Sequence, residues 1–281
     1  MKILIKPNVP IEDYKKNKEI DGFILPLEGY AVDYEKYFTL KDVEVVKENT
    51  TFEVFVVINR MFFNKDIEIL KELLLELEKL KVTGIFFYDL AVLELSKTMN
   101  LKTPLVWNNT HMVTNYEVCN YYQKKGIKYA VLSNEITFKE AIEIYKNTNI
   151  ILMFPLLLYP TVANSYRHLV TNYDKINHHF NDKYLEIEEQ VTKEKYFAFE
   201  NPFGTAFKYG KVLNNIPVYT KLKELNFPYV ILQEDFIEHE KFIKILSTIN
   251  KKDSIQEIEK LVGKNTGFLE KETIYKVKKN G

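Results

Sequence analysis

Only two of the 39 basic residues are arginine, Arg60 and Arg167, and both fall in polar stretches beyond apolar runs. A guanidinium grips carboxylate or phosphate bidentately, and lysine cannot reproduce that geometry. The pair is therefore read as an anion site; the competing reading is a surface or interdomain salt bridge for each. His168 stands beside Arg167 in SYRHLVTNY, within reach of Asn172, and is a candidate general acid or base. Against this stands the ordinary role of a lone loop histidine, a hydrogen-bonded structural residue. Glu135, after the run YAVLSN, is the preferred acid or base. Asp89, Asn108 and Gln233 also follow apolar runs. Trp107, the only tryptophan, would floor a pocket or fill the core. Together these residues are rich in amides and poor in clustered carboxylates, which suits hydrogen-bonded recognition of a polar ligand better than a two-metal or paired-acid mechanism.

No cofactor and no metal site is expected. The single cysteine, Cys119, excludes an internal disulfide, a four-thiolate zinc site and a cysteine-ligated iron–sulfur cluster within one chain. It lies inside the helical pattern TNYEVCNYYQKKG, where a buried, inert thiol is expected. His178 and His179 are adjacent and point apart on any regular backbone, and His111 has no second ligand at helical spacing.

These residues need a frame that brings distant segments together. Eight apolar runs read as strands: Lys2 to Ile5, Gly22 to Leu27, Thr51 to Ile58, Gly84 to Tyr88, Pro104 to Trp107, Tyr129 to Leu132, Ile150 to Phe154 and Tyr229 to Leu232. Amphipathic stripes lie between them, such as Ile67, Leu70, Leu73, Leu74, Leu77 and Leu80. Thr137 with Glu140 forms a capping box before FKEAIEI. The fold predicted is α/β, a (β/α)8 TIM-type barrel of irregular outline, with an open doubly wound sheet as the competitor; no Gly-rich phosphate loop follows the first strand. Residues 174–215 break the alternation and read as a β-rich hairpin insertion between strands 7 and 8. Residues 253–281 read as a C-terminal extension of one domain spanning 1–281. In a barrel, the candidate residues above fall at the carboxyl ends of the strands, where chemistry usually resides.

Charges balance at 39 basic against 39 acidic, so no global field draws nucleic acid, and direct nucleic-acid binding is expected to be unlikely. The longest apolar run, Ile150 to Tyr159, is a buried strand rather than a span. A cytoplasmic protein without membrane association is expected.

Several passages resemble the collagenase-like peptidases, peptidase family U32. They are Asn108, then GIKYAVLSNEIT with Ser133 and Glu135, then RHLVTNY with Asn172 and Tyr173, then ENPFGTAFKYGKVLNNIPVYTKLKELN, and the ending TGFLEKETIYKVKK. The resemblance covers most of the chain from the fourth strand onward. It implies a peptidase-like protein with a polar pocket at the carboxyl face of the barrel. The family's two signature cysteines fall on or near Thr161 and His168, and its glycine on Tyr166. A catalytic member lacking them needs a noncysteine mechanism. The alternative is a noncatalytic or accessory member that binds a peptide, a small anionic ligand or an RNA-modification partner, since relatives act in transfer RNA modification and quinone synthesis.

Overall fold

A computed structural model describes residues 1–14, 16–109, 111–177, 185–251 and 254–271. Its strands are β1 (Lys2–Lys6), β2 (Gly22–Pro26), β3 (Glu53–Ile58), β4 (Gly84–Phe87), β5 (Leu105–Trp107), β6 (Tyr129–Val131), β7 (Ile151–Leu158), β8 (Thr161–Ser165), β9 (Leu185–Glu188), β10 (Lys195–Asn201), β11 (Gly204–Tyr209), β12 (Leu213–Asn214) and β13 (Tyr229–Gln233). The α-helices are α1 (Leu40–Asn49), α2 (Ile67–Lys79), α3 (Leu90–Thr98), α4 (Tyr116–Lys124), α5 (Phe138–Lys146), α6 (Leu169–Asn177), α7 (Tyr219–Glu224), α8 (His239–Thr248) and α9 (Ser254–Val262).

Strands β1 to β7 and β13 pair in parallel, and the β6–β7 and β13–β1 ladders close the sheet into a (β/α)8 barrel. All eight strands expected from the sequence are present. The barrel is irregular at its first crossover, where a 3₁₀ turn, Ile11–Tyr14, stands in place of an α-helix. The capping box at Thr137 and Glu140 forms as its spacing predicts.

Because alternate residues of a strand face opposite sides, the barrel divides its apolar residues into two cores. Leu4, Ile24, Phe55, Val57, Phe86, Val106, Tyr129, Val131, Met153, Tyr229 and Ile231 fill the interior. Phe55 makes edge-to-face contacts with Phe86, Tyr129 and Tyr229 at 5.7, 5.7 and 6.2 Å, and this ring set plugs the interior. The opposite parity packs against the helices.

Between β7 and β13 the chain leaves the barrel to build a four-stranded antiparallel sheet in the order β8-β11-β10-β9. This sheet begins at Thr161, well ahead of the boundary expected at 174, because the polar passage after β7 pairs as β8 and then forms α6. Residues 178–184 of the expected insertion, His178 and His179 among them, lie outside the described residues. So do 252–253 and 272–281 of the expected extension. Pro155 cannot donate to the ladder, and the pairing with β13 slips one residue there, from Ile231↔Pro155 to Leu232↔Leu157. The bulge sits just before β7 turns out toward β12, its antiparallel neighbour.

Candidate functional site

The inserted sheet lies over the carboxyl ends of the barrel strands, and a cavity of about 350 Å³ separates the two layers. Its floor comes from the barrel: Lys6, Asn59, Tyr88, Asn108, Asn134 and Gln233. Its roof comes from Thr161–Ser165 and from Phe199, Asn201, Phe203, Gly204, Thr205 and Ala206. The floor follows from strand parity. Lys6, Asn59, Tyr88, Asn108 and Gln233 each lie two residues beyond an interior residue, namely Leu4, Val57, Phe86, Val106 and Ile231. They form the next layer up, where the interior turns from apolar to polar.

The roof is fastened by a buried ion cluster. Lys208 on β11 is 1% exposed and reaches down to Asp235 at 2.9 Å and Asp33 at 3.5 Å. Thr161 donates to the same Asp33 at 2.5 Å. Burial alone would lower the Lys208 amine, but the two carboxylates more than offset it and hold the amine protonated. Asn201 adds a hydrogen bond to the Tyr37 hydroxyl at 2.9 Å. At Gly204 φ is +132°, and a Cβ there would meet the Ser165 carbonyl oxygen at 2.0 Å, so this turn admits only glycine.

Lys6 is the contrasting cation. It is 8% exposed, and its amine approaches the Tyr34 hydroxyl at 3.5 Å and the Tyr34 ring centroid at 5.0 Å. Burial, followed by repulsion from Lys208, lowers its pKa to about 8, with Asp235 and Asp33 opposing. It is the one lysine or arginine among the described residues lining the cavity. Its register partner Gln233 is 6% exposed, and the Gln233 side-chain oxygen is buried with no hydrogen-bond partner among the described residues.

The residues expected from the sequence divide sharply. Asn108 and Gln233 line the cavity, and the others do not. Trp107 has the opposite parity to Asn108, so it packs outward and stacks on Tyr122 at 4.3 Å. Asp89 caps α3, accepting from the Ala91 amide at 2.9 Å and from the Phe62 amide at 3.0 Å. Arg60 is 7% exposed; it faces Asp66 at 3.5 Å and lies over the rings of Phe203, Phe62 and Tyr30 at 4.4, 4.8 and 5.7 Å. Arg167 is exposed. The two arginines do not converge on one anion in the cavity: Arg60 is enclosed by aromatic rings beneath the roof and Arg167 sits outside.

His168 lies 3.3 Å from Glu200. That carboxylate also accepts from the Val170 amide at 2.9 Å and from the Thr205 hydroxyl at 2.8 Å, so it anchors the start of α6 to the roof. Asn172 is an exposed residue of α6, its amide bonded to the His168 carbonyl. Glu135 is exposed and contacts His111 Nδ1 at 3.1 Å. His111 lines the cavity, so Glu135 reaches the site only through its imidazole partner. Cys119 is buried in α4, and burial pushes its thiol up to about 12, which leaves no thiolate near neutrality.

Sequence reasoning missed Lys6, Asp33, His111, Lys208 and Asp235. For Lys6 a signal was present in the alternation of KILIK. For the ion cluster there was none, because its members are separated by long stretches of chain.

Fold and site together define a closed (β/α)8 barrel whose polar mouth is roofed by an inserted sheet. Residues 34–154 match the sequence model of peptidase family U32. A U32 peptidase of known structure, Mk0906, superposes with a TM-score of 0.54 at 14% identity, covering 83% of this chain and 92% of that one, which shows the shared fold. The tRNA hydroxylation protein P2 of Bacillus subtilis (strain 168) is 26% identical over 218 residues, covering 73% of this chain and 68% of that protein. Among the described residues no helix is long and apolar enough to cross a membrane.

Proposed function

We propose that this chain is a non-proteolytic U32 member that takes part in tRNA hydroxylation in the cytoplasm and binds a small carboxylate ligand beneath its inserted sheet. The observation that carries this reading is the roofed cavity. Its volume of about 350 Å³ suits a small molecule, and an extended peptide would need an open cleft. Within it, amides of Asn59, Asn108, Asn134 and Asn164 supply donors for carboxylate or carbonyl oxygens around the single amine of Lys6. His111 moves a proton at the cavity edge, with Glu135 orienting its imidazole.

The named role of the B. subtilis relative brings an RNA-related partner to this reading and bears against the expectation that nucleic-acid contact is unlikely. Balanced net charge describes the whole surface and not any one patch. The relative also favours the accessory alternative over proteolysis.

The test is the hydroxylated nucleoside content of tRNA, measured by mass spectrometry in cells lacking the chain and complemented with wild type or His111→Ala. Wild type restores the modification, and His111→Ala lowers it by roughly 100-fold or more. Unchanged modification in the deleted cells would remove the tRNA assignment. Turnover of casein or gelatin by the purified protein would restore the peptidase reading.

A further inference from the structure

We infer that Lys6 is a carbonyl-reactive amine, and that the cavity ligand carries a ketone or aldehyde beside its carboxylate, with which Lys6 condenses as a Schiff base. The inference rests on the cavity binding a small carboxylate; it does not depend on the tRNA assignment.

Three features converge on it. Lys6 sits at the end of β1, buried and lining the cavity, and among the described residues no carboxylate lies within ion-pair distance of its amine. Asp33 and Asp235, the acids of this region, are both engaged by Lys208. Lys6 and Lys208 also share one surface, since their amines lie 5.0 and 5.6 Å from the centroid of the same Tyr34 ring. A buried amine beside a second, paired cation is the arrangement that frees a lysine lone pair near neutral pH. With a pKa of about 8, about a tenth of the amine is neutral at pH 7. Finally, Gln233 pairs in register with Lys6 and offers a buried carbonyl oxygen that has no donor. A hydrogen-bond donor on a bound ligand would satisfy it, whereas leaving it unpaired carries a desolvation cost.

The condensation balances simply. The Lys6 lone pair forms the C–N bond while the carbonyl π electrons move to oxygen, which gains the proton that nitrogen loses. A further proton on that hydroxyl lets water depart as the C=N bond forms, and the iminium keeps one proton on nitrogen. Amine, carbonyl compound and one proton thus give the iminium and water, with no change of oxidation state.

The test uses the purified full chain with glyoxylate and cyanoborohydride at pH 7, reading each lysine by peptide mass spectrometry. The reductant supplies hydride to the iminium and fixes the adduct. Lys6 is expected to be labelled roughly 10-fold or more faster than the median surface lysine, with its rate levelling off above about pH 8. In Lys6→Arg the remaining lysines keep their rates and the fast site is gone. Labelling of Lys6 no faster than the surface lysines overturns the inference. If glyoxylate raises the melting temperature but Lys6 stays unlabelled, the amine role fails and the cavity reading stands. Fast labelling of Lys6 in a chain whose deletion leaves tRNA hydroxylation intact removes the tRNA assignment alone.

Discussion

Two lysines are buried at the mouth of the barrel, one in the floor of the cavity and one in its roof. Lys208 hangs from the inserted sheet and meets two carboxylates, Asp33 and Asp235, from the loops after β2 and β13. Lys6 rises from β1 and meets a phenol and a ring face. Burial penalises the charge of both, yet their pKa values move in opposite directions, up for Lys208 and down to about 8 for Lys6. The same side chain becomes a fastening in one layer and a reactive group in the other, according to which layer holds the acids.

The largest effect is expected from breaking the fastening. Lys208→Ala leaves two carboxylates buried without their cation and costs about 3–5 kcal/mol, measured by urea unfolding at pH 7. A loss below about 1 kcal/mol would mean that the roof is held elsewhere. The floor lysine behaves in the opposite way. Folding weakens proton binding at Lys6, so between about pH 8 and its ordinary value of 10.5 the unfolded chain holds more protons. Stability therefore rises with pH across that window. Lys6→Met is the more stable protein at pH 7, by roughly 3 kcal/mol, and its advantage fades as pH climbs to 10.5. Equal stability at pH 7 would show Lys6 to be an ordinary solvated cation.

Smaller effects separate the layers further. Glu200→Ala removes the acceptor that starts α6 and anchors it to Thr205, at about 1–2 kcal/mol. Amide exchange should quicken in α6 while the β1 and β13 amides stay protected; uniform quickening would mean that roof and barrel open as one unit. Ile24→Val trims the interior core and costs about 1 kcal/mol, with Lys6 labelling by glyoxylate unchanged.

The barrel was legible because its signals are local. Apolar runs of strand length, separated by amphipathic helices, give all eight strands and their order. The site was legible only where parity carried it. Asn108 and Gln233 share the face of Val106 and Ile231, whereas Trp107 and Arg60, one residue off the cavity-facing positions, turn toward the outer shell or the aromatic rings. Asp89 was read correctly as terminal to its strand, but its carboxylate serves a helix start. The roof was the least legible part. Its fastening joins residues 33, 208 and 235, and no sequence window holds more than one of the partners. Of the two positions where the signature cysteines would fall, Thr161 lines the cavity and bonds to Asp33, while His168 stays outside.

The roof leaves and rejoins the barrel through neighbouring strands. Leu158, at the end of β7, pairs with Leu213 of β12, and Leu157 pairs with Asn214. Both severed ends therefore sit a single ladder apart, on a frame whose eight strands close without the insert. Such a layout makes the insert a cassette. A change in its length or sequence leaves the ladders that close the cylinder in place, so ligand preference and scaffold are set by separate parts of the chain.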